Sequence, residues 1–353
     1  MKAIVHHRYG APDVVSLADV ATPVARPNEV LVRICATTVS SGDWRARSLT
    51  LPAGFGVLGR PVFGLFGPRQ PILGSELSGV VEAVGSAVSR FKSGDEVFAF
   101  TGAKMGCHAE YRAIAEDGLI ALKPPNVSFE AAAALSFGGT TAMSFLVARG
   151  GIKTGDNVLV VGASGSVGSA AVQIAKHFGA TVTGVCSTRN LELVRSLGAD
   201  AVIDYQTTDF ATTGATYDII LDTTGTSPLS RVEGSLRPGG RLLIVLGTLA
   251  QAFGLERPAK GSGKTVIAGV ATVRADDLRV LAELAAAGTV LPVIDRSYPL
   301  ENAVEAHAYV DKGRKRGNVV MTIARPSGRH AFPNGDATAT ANGGSGPSDY
   351  VSA

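Results

Sequence analysis

The chain has 353 residues, 45% hydrophobic and 18% charged, which is the balance of a globular protein long enough for two domains. A net charge of +3 with no long basic block argues against nucleic acid or a membrane surface as partner. Cys35, Cys107 and Cys186 lie too far apart for a disulfide scaffold or a structural zinc; with no signal-peptide core in MKAIVHHRYG and no uninterrupted apolar run of spanning length, the expectation is a cytoplasmic protein with no membrane span.

Short β-branched or alternating segments at residues 2–6, 29–34, 80–84 and 96–100 come first. Turn chemistry such as Arg26-Pro27-Asn28 and Ser93-Gly94-Asp95 separates them, which predicts a compact, irregular antiparallel barrel. Residues 49–73 are rich in Gly, Pro and Phe with little periodicity, and read as a long surface loop. From about Ser128 the rhythm changes, with helices predicted over 129–134 and 140–148. Strands then alternate with helices: strand 157–161, helix 166–178, strand 181–186, helix 190–197, strand 201–203. Strands at 218–222, 241–246 and 265–270 and a helix over 276–286 continue the series. Alternating β and α units imply a parallel sheet with helices on both faces. Beyond Leu291 the β-rich character returns, with strand 293–298, a short helix over 300–310 and strand 318–323, expected to rejoin the first domain. The fold class is therefore α/β, read as a barrel domain over 1–124 and 291–325 and a doubly wound domain over 125–290. Residues 326–353, poor in bulky apolar side chains, read as a disordered tail.

The segment carrying the chemistry is NVLVVGASGSVGSAAVQIAKHF, residues 157–178. An apolar strand ends in Gly162, with Gly165 and Gly168 following and a helix beginning at once. Glycine permits the tight turn and the close backbone approach to a diphosphate. The N–H groups and positive dipole of the helix start then hold the anion. NAD-binding domains usually end the next strand with an acid that binds the ribose hydroxyls. Here the chain reads Val185-Cys186-Ser187-Thr188-Arg189-Asn190, with no acid before Glu192. A 2′-phosphate carries roughly −1.5 to −2 charges and suits a guanidinium with small donors. Ser187 and Arg189 supply these, so NADPH is the expected cofactor.

With these motifs the sequence closely resembles the zinc-free, quinone oxidoreductase-like (zeta-crystallin-like) branch of the medium-chain dehydrogenase/reductase superfamily. The likeness spans about residues 1–324, carried by MKAIVHHRYG, ILGSELSGVVEAVG, HAEY, GASGSVG, LGADAVIDY and RGNVVMTI. It implies a GroES-like catalytic barrel built from both chain ends, a central Rossmann domain and a cleft between them. It also implies coenzyme contacts at Ser164, Gly165, Ser166 and Val167, at Ser187 and Arg189 near the adenosine phosphate, and at Tyr205 and Asn318. Thr141 and Gly247 are implied on the nicotinamide side, and a homodimer is common in the family. Where zinc alcohol dehydrogenases of the superfamily carry a Cys and a His, this chain has Ser40, three before Asp43, and Ser75, just before Glu76. The four-cysteine lobe is missing too, so no metal is expected. The relatives often carry Asn at the Ser40 position and Tyr at the Arg45 position, so substrate preference does not transfer.

The expected reaction is hydride transfer to a quinone or the β-carbon of an enone. Ser40 is the candidate hydrogen-bond donor to the oxygen that gains charge, and Asp43 the residue that positions the loop or cofactor. Ser40→Ala is expected to lower turnover with little effect on folding, although a turn hydroxyl bonded to backbone is an equal reading. The alternatives are an NAD(P)-dependent alcohol dehydrogenase or aldehyde reductase, and a non-catalytic NADPH-binding scaffold.

Overall fold

The computed structural model describes residues 1–324; the 326–353 segment read as a tail lies outside the described residues. Strands β1 (Lys2–His6) and β2 (Val15–Asp19) form an antiparallel pair. The next strand, β3 (Glu29–Val39), organises the first half of the fold. One of its edges carries β4 (Glu76–Val84), which continues through β5 (Glu96–Phe100) to β7 (Ile120–Leu122). Its opposite edge is shared: β6 (Tyr111–Ala115) pairs with residues 29–33, and a strand from the far end of the chain pairs with residues 36–39. Register shifts within the β3–β4 pairing bend the sheet around an apolar interior that includes Val30, Val32, Leu77, Val97 and Ile120.

Two helices lie between β3 and β4, namely α1 (Ser41–Ser48) and α2 (Gly56–Phe63). The second corrects the reading of 49–73 as an unbroken loop. Its Gly56, Gly59 and Pro61 are poor helix formers, which hid it from a propensity argument.

The helices expected at 129–134 and 140–148 are one element. Helix α3 (Phe129–Ala142) runs without a break into a π-helical stretch, Met143–Arg149. Gly138 and Gly139 are packing positions rather than breakers. A Cβ on Gly138 would meet the Ser166 carbonyl oxygen at 2.5 Å, and one on Gly139 would meet Leu281 at 2.8 Å. Among the described residues, 129–149 form the one helix long and apolar enough to cross a membrane, against the expectation of no such run. Ala132, Leu135, Phe145 and Leu146 are at most 2% exposed in the protein's own core, which makes this a core helix.

The remaining series is a six-stranded parallel sheet: β8 (Asn157–Val161), β9 (Thr181–Cys186), β10 (Ala201–Asp204), β11 (Tyr217–Asp222), β12 (Leu236–Ile244) and β13 (Thr265–Ala268). Their spatial order is β10-β9-β8-β11-β12-β13. Helices α4 (Ser166–His177), α5 (Leu191–Ser196), α6 (Leu229–Val232), α7 (Leu249–Ala252) and α8 (Ala275–Ala286) connect or cover the strands. The chain then returns to the first sheet through β14 (Ile294–Pro299), α9 (Ala303–Asp311) and β15 (Asn318–Thr322), the last lying against β3.

Candidate active site

Strand order reverses at β8: the chain winds outward to β9 and β10, then crosses back to β11. Ligands of open α/β sheets sit at such a point, beyond the carboxyl ends of the strands. A cavity of about 700 Å³ lies there. It is lined by residues following four of these strands: Gly162 after β8, Ser187 after β9, Thr223 after β11 and Leu246 after β12. The opposite wall comes from elements early and late in the chain, with Trp44 and Arg45 of α1, Phe137 of α3, and Arg314 and Lys315 beyond α9.

The glycine-rich turn forms the floor. Gly162 has φ of +82°, and a Cβ on it would meet the Thr223 hydroxyl at 2.5 Å. On Gly168 a Cβ would meet the Gly162 carbonyl oxygen at 2.1 Å, so only glycine lets α4 pack this close to β8. Gly165 differs. A Cβ there would find only the Gly162 oxygen, at 3.5 Å, which leaves open cavity over the residue. The turn is braced from outside: Gly317 N–H donates to the Ser164 carbonyl at 2.7 Å, and the Ser166 hydroxyl to Asn318 Oδ1 at 2.6 Å. Ser164, Gly165, Ser166 and Val167 all face the cavity at the start of α4, where free amides and the helix dipole favour an anion.

Beside β9, Ser187 and Arg189 line the cavity together with Tyr205 and Arg314. Arg189 Nη2 donates to the main-chain oxygen of Arg314, which holds its guanidinium across the mouth of the cleft. The sequence reading missed Asn190, which orders this end. Its Nδ2 donates to Ser164 Oγ at 2.9 Å and to Ser187 Oγ at 3.2 Å, so it ties the phosphate turn to the following strand. Its Oδ1 is enclosed without a protein partner, an acceptor suited to a sugar hydroxyl. Lys315 was also missed, because it lies about 150 residues from the turn in sequence and reaches it only through the return of the chain. Its Nζ donates to Gly317 O at 2.6 Å, and burial lowers its pKa to about 8. Cations, small donors and amides around an open glycine fit a dinucleotide phosphate.

Of the other expected contacts, Thr141, Gly168, Gly247 and Asn318 are not among the cavity-lining residues. Asn318 spends its amide on Ser166 and on Val293 O, a bracing role behind the turn.

Ser40 and Asp43 are also absent from the lining, and they engage each other. Ser40 is the N-cap of α1, its Oγ accepting the Gly42 and Asp43 amides at 3.1 and 3.2 Å. It donates its own proton to Asp43 Oδ2 at 2.6 Å, while Asp43 Oδ1 accepts the Gly74 amide at 2.9 Å. Both side chains are buried, so the geometry assigns them to holding α1 and the Gly74 turn in place. Ser41, Trp44 and Arg45, spaced at i, i+3 and i+4, are the residues of α1 that reach the cavity.

The donor set does not fit a catalytic zinc. Ser40 and Ser75 offer hydroxyls where zinc takes thiolate and imidazole. His108 is fully buried with its Nε2 2.8 Å from the Thr38 oxygen, and burial pushes the Cys107 thiol up to about 12. Among the described residues no three His, Cys, Asp or Glu side chains gather into a metal-binding group.

Comparison with known proteins places these features in a family. The family model for an alcohol dehydrogenase GroES-like domain matches residues 26–124, and that for a zinc-binding dehydrogenase matches residues 197–321. The chain is 33% identical over 335 residues to the chloroplast envelope quinone oxidoreductase homolog of Arabidopsis thaliana, covering 91% of this chain and 98% of that one. It is 32% identical over 333 residues to the NADPH-dependent alkenal/one oxidoreductase of the same plant's chloroplast, covering 91% and 79%. Among solved structures, the quinone oxidoreductase from Coxiella burnetii superposes with a TM-score of 0.81 at 29% identity, over 92% of this chain and 99% of that one.

Proposed function

Because the chain belongs to the quinone oxidoreductase-like branch of the medium-chain dehydrogenase/reductase superfamily, we propose that it is an NADPH-dependent oxidoreductase that reduces quinones or α,β-unsaturated carbonyl compounds without zinc. The observation that carries this reading is the cavity at the switch point. Its floor is a phosphate-binding turn and one end is cationic, and the relatives with this architecture are named for those substrates.

When bound, the coenzyme supplies the hydride. The protein's share is orientation and exclusion of water. The free amides of Ser166 and Val167 at the start of α4 would hold the pyrophosphate, and Lys315 adds a cation beside them. Ser187, Arg189 and Arg314 select a 2′-phosphate at the β9 end. At the other end Trp44, Phe137 and Leu246 offer apolar walls to a flat conjugated substrate. A simple aldehyde, which gains most from a Lewis acid, is disfavoured where Ser40 and Ser75 stand in place of zinc's thiolate and imidazole ligands.

The test is NADPH oxidation by purified protein with 9,10-phenanthrenequinone, an enone and a plain aldehyde, alongside metal analysis. Turnover on the first two with less than a tenth of a zinc per chain is the expected result. Activity confined to the aldehyde, or stoichiometric zinc, overturns the reading, and NADPH binding with no turnover points to a scaffold. A homodimeric state and a cytoplasmic location belong to the same proposal, checked by sedimentation and by fractionation of the source cells.

A further inference from the structure

Resting on that reading, and narrowing its substrate class, we infer that Arg45 selects substrates carrying an anionic substituent on the conjugated system being reduced. Arg45 lines the cavity, and its guanidinium lies 5.0 Å from the centre of the Trp44 ring. A single bond anchors it, from Nη1 to the Thr50 carbonyl at 3.0 Å. Its Nε is enclosed without a partner, and among the described residues no carboxylate forms an ion pair with it. Burial disfavours its charge, but a guanidinium stays protonated in proteins. The contrast with Arg47, two residues on, is informative: that guanidinium is paired through Nη2 with both oxygens of Asp311. A half-desolvated cation with donors to spare is stabilised by an anion, and a guanidinium takes carboxylate-like groups bidentately.

Position decides which ligand this is. The cationic end expected to hold the coenzyme phosphate lies beyond β9, on one side of β8. Arg45 belongs to the other side. The Thr50 carbonyl that anchors it is followed by Ala53, whose carbonyl accepts the Leu249 amide at 3.0 Å, and Leu249 follows β12. Its neighbours Trp44 and Phe137 are the apolar surfaces at the reacting end. The chemistry that satisfies Arg45 there is a carboxylate, sulfonate or ionised hydroxyl on the conjugated system being reduced.

The experiment compares kcat/KM for 1,2-naphthoquinone-4-sulfonate and 1,2-naphthoquinone in the wild type, Arg45→Gln and Arg45→Lys. Taking the ratio of the two quinones within each protein, and then across proteins, cancels their intrinsic reactivity. Losing a charge-assisted bond predicts a sulfonate-to-neutral ratio lower by roughly ten- to hundredfold in Arg45→Gln, mostly through KM, with Arg45→Lys between. A ratio that is the same in all three proteins overturns the inference. Independently of turnover, calorimetry with naphthalene-1-sulfonate is done on protein saturated with NADP⁺, which occupies the phosphate end, and naphthalene-1-sulfonamide serves as the uncharged control. Sulfonate binding that Arg45→Gln abolishes supports the assignment; equal binding to both proteins, or none to the wild type, refutes it. If neither quinone is reduced, the proposed function fails while calorimetry still judges Arg45. If both are reduced and the ratio does not move, only the Arg45 inference falls.

Discussion

The Glu76 carboxylate accepts the Phe137 main-chain N–H at 2.7 Å, which joins β4 of the first sheet to the middle of α3 inside the protein. Its other oxygen takes the Thr38 hydroxyl. Burial pushes this carboxyl up to about 7 from 4.5, assisted by Asp43 and opposed by both hydrogen bonds and by Lys315. A carboxyl with a raised folded pKa keeps its proton longer when folded. Its contribution to stability is full below pH 4.5 and is lost as pH climbs through about 7. At about 1.4 kcal/mol per pKa unit, the loss amounts to about 3 kcal/mol. Glu76→Gln keeps an acceptor for Phe137 and cannot ionise. Urea unfolding from pH 4.5 to 8 is expected to show a shallower decline for the variant than for the wild type. Parallel curves would remove Glu76 as the source.

Ser40→Ala is expected to act through stability, a revision of the sequence-based expectation that folding would be spared. The substitution deletes the N-cap of α1 and one of the donors to the buried Asp43 carboxylate. Cap losses cost about 0.5–2 kcal/mol, and Asp43 Oδ2 keeps the main-chain N–H of residue 40 at 2.8 Å, so the loss is expected within that range. Thermal denaturation checks it. An unchanged Tm combined with lowered turnover would return Ser40 to a direct role.

Gly165 and Gly168 separate binding from folding. Gly165 has φ of −82°, and the space above it is open, so Gly165→Val folds and fills the coenzyme floor. The expected result is a Tm close to wild type with NADPH affinity reduced at least tenfold, as one lost phosphate contact of about 1.5–3 kcal/mol implies. Gly168→Ala drives a methyl into the Gly162 carbonyl and is expected to destabilise the whole fold instead. Equal effects of the two on Tm would contradict this division.

Much of this fold was legible because β8, β9 and α4 are apolar, periodic and punctuated by glycine where the backbone demands it. The phosphate turn and the missing acid after β9 follow from local sequence alone. Less visible were elements whose signals are tertiary. Gly138 and Gly139 read as a break because glycine weakens helices, yet they are where α4 and α8 approach α3. Asn190 has an unremarkable local context and acts by joining Ser164 to Ser187 across the turn. Lys315 and Arg314 enter the site only because the chain returns to β3 at its far end. Ser40 and Asp43 were identified by position in a motif, which says where the residues lie but not which way they face.

Coenzyme choice rests on the cationic end beyond β9. Arg189 is held by the Arg314 carbonyl, which leaves its remaining donors and the Ser187 hydroxyl toward the cavity; β9 itself ends without an acid, and Asp204 on the neighbouring β10 is engaged by the Thr188 hydroxyl and the Gln206 amide. A 2′-phosphate of roughly −1.5 to −2 charges gains charge-assisted bonds there that a hydroxyl does not. Arg189→Ala is therefore expected to lower kcat/KM for NADPH roughly ten- to hundredfold more than for NADH, chiefly through KM. The discrimination should also weaken with added salt, since the group is exposed to solvent and its attraction is screened over about 8–10 Å at ordinary ionic strength. Steady-state kinetics with both coenzymes at low and high salt test the claim. A wild type that prefers NADH, or an Arg189→Ala variant that loses both coenzymes equally, would place the selection elsewhere in the cleft.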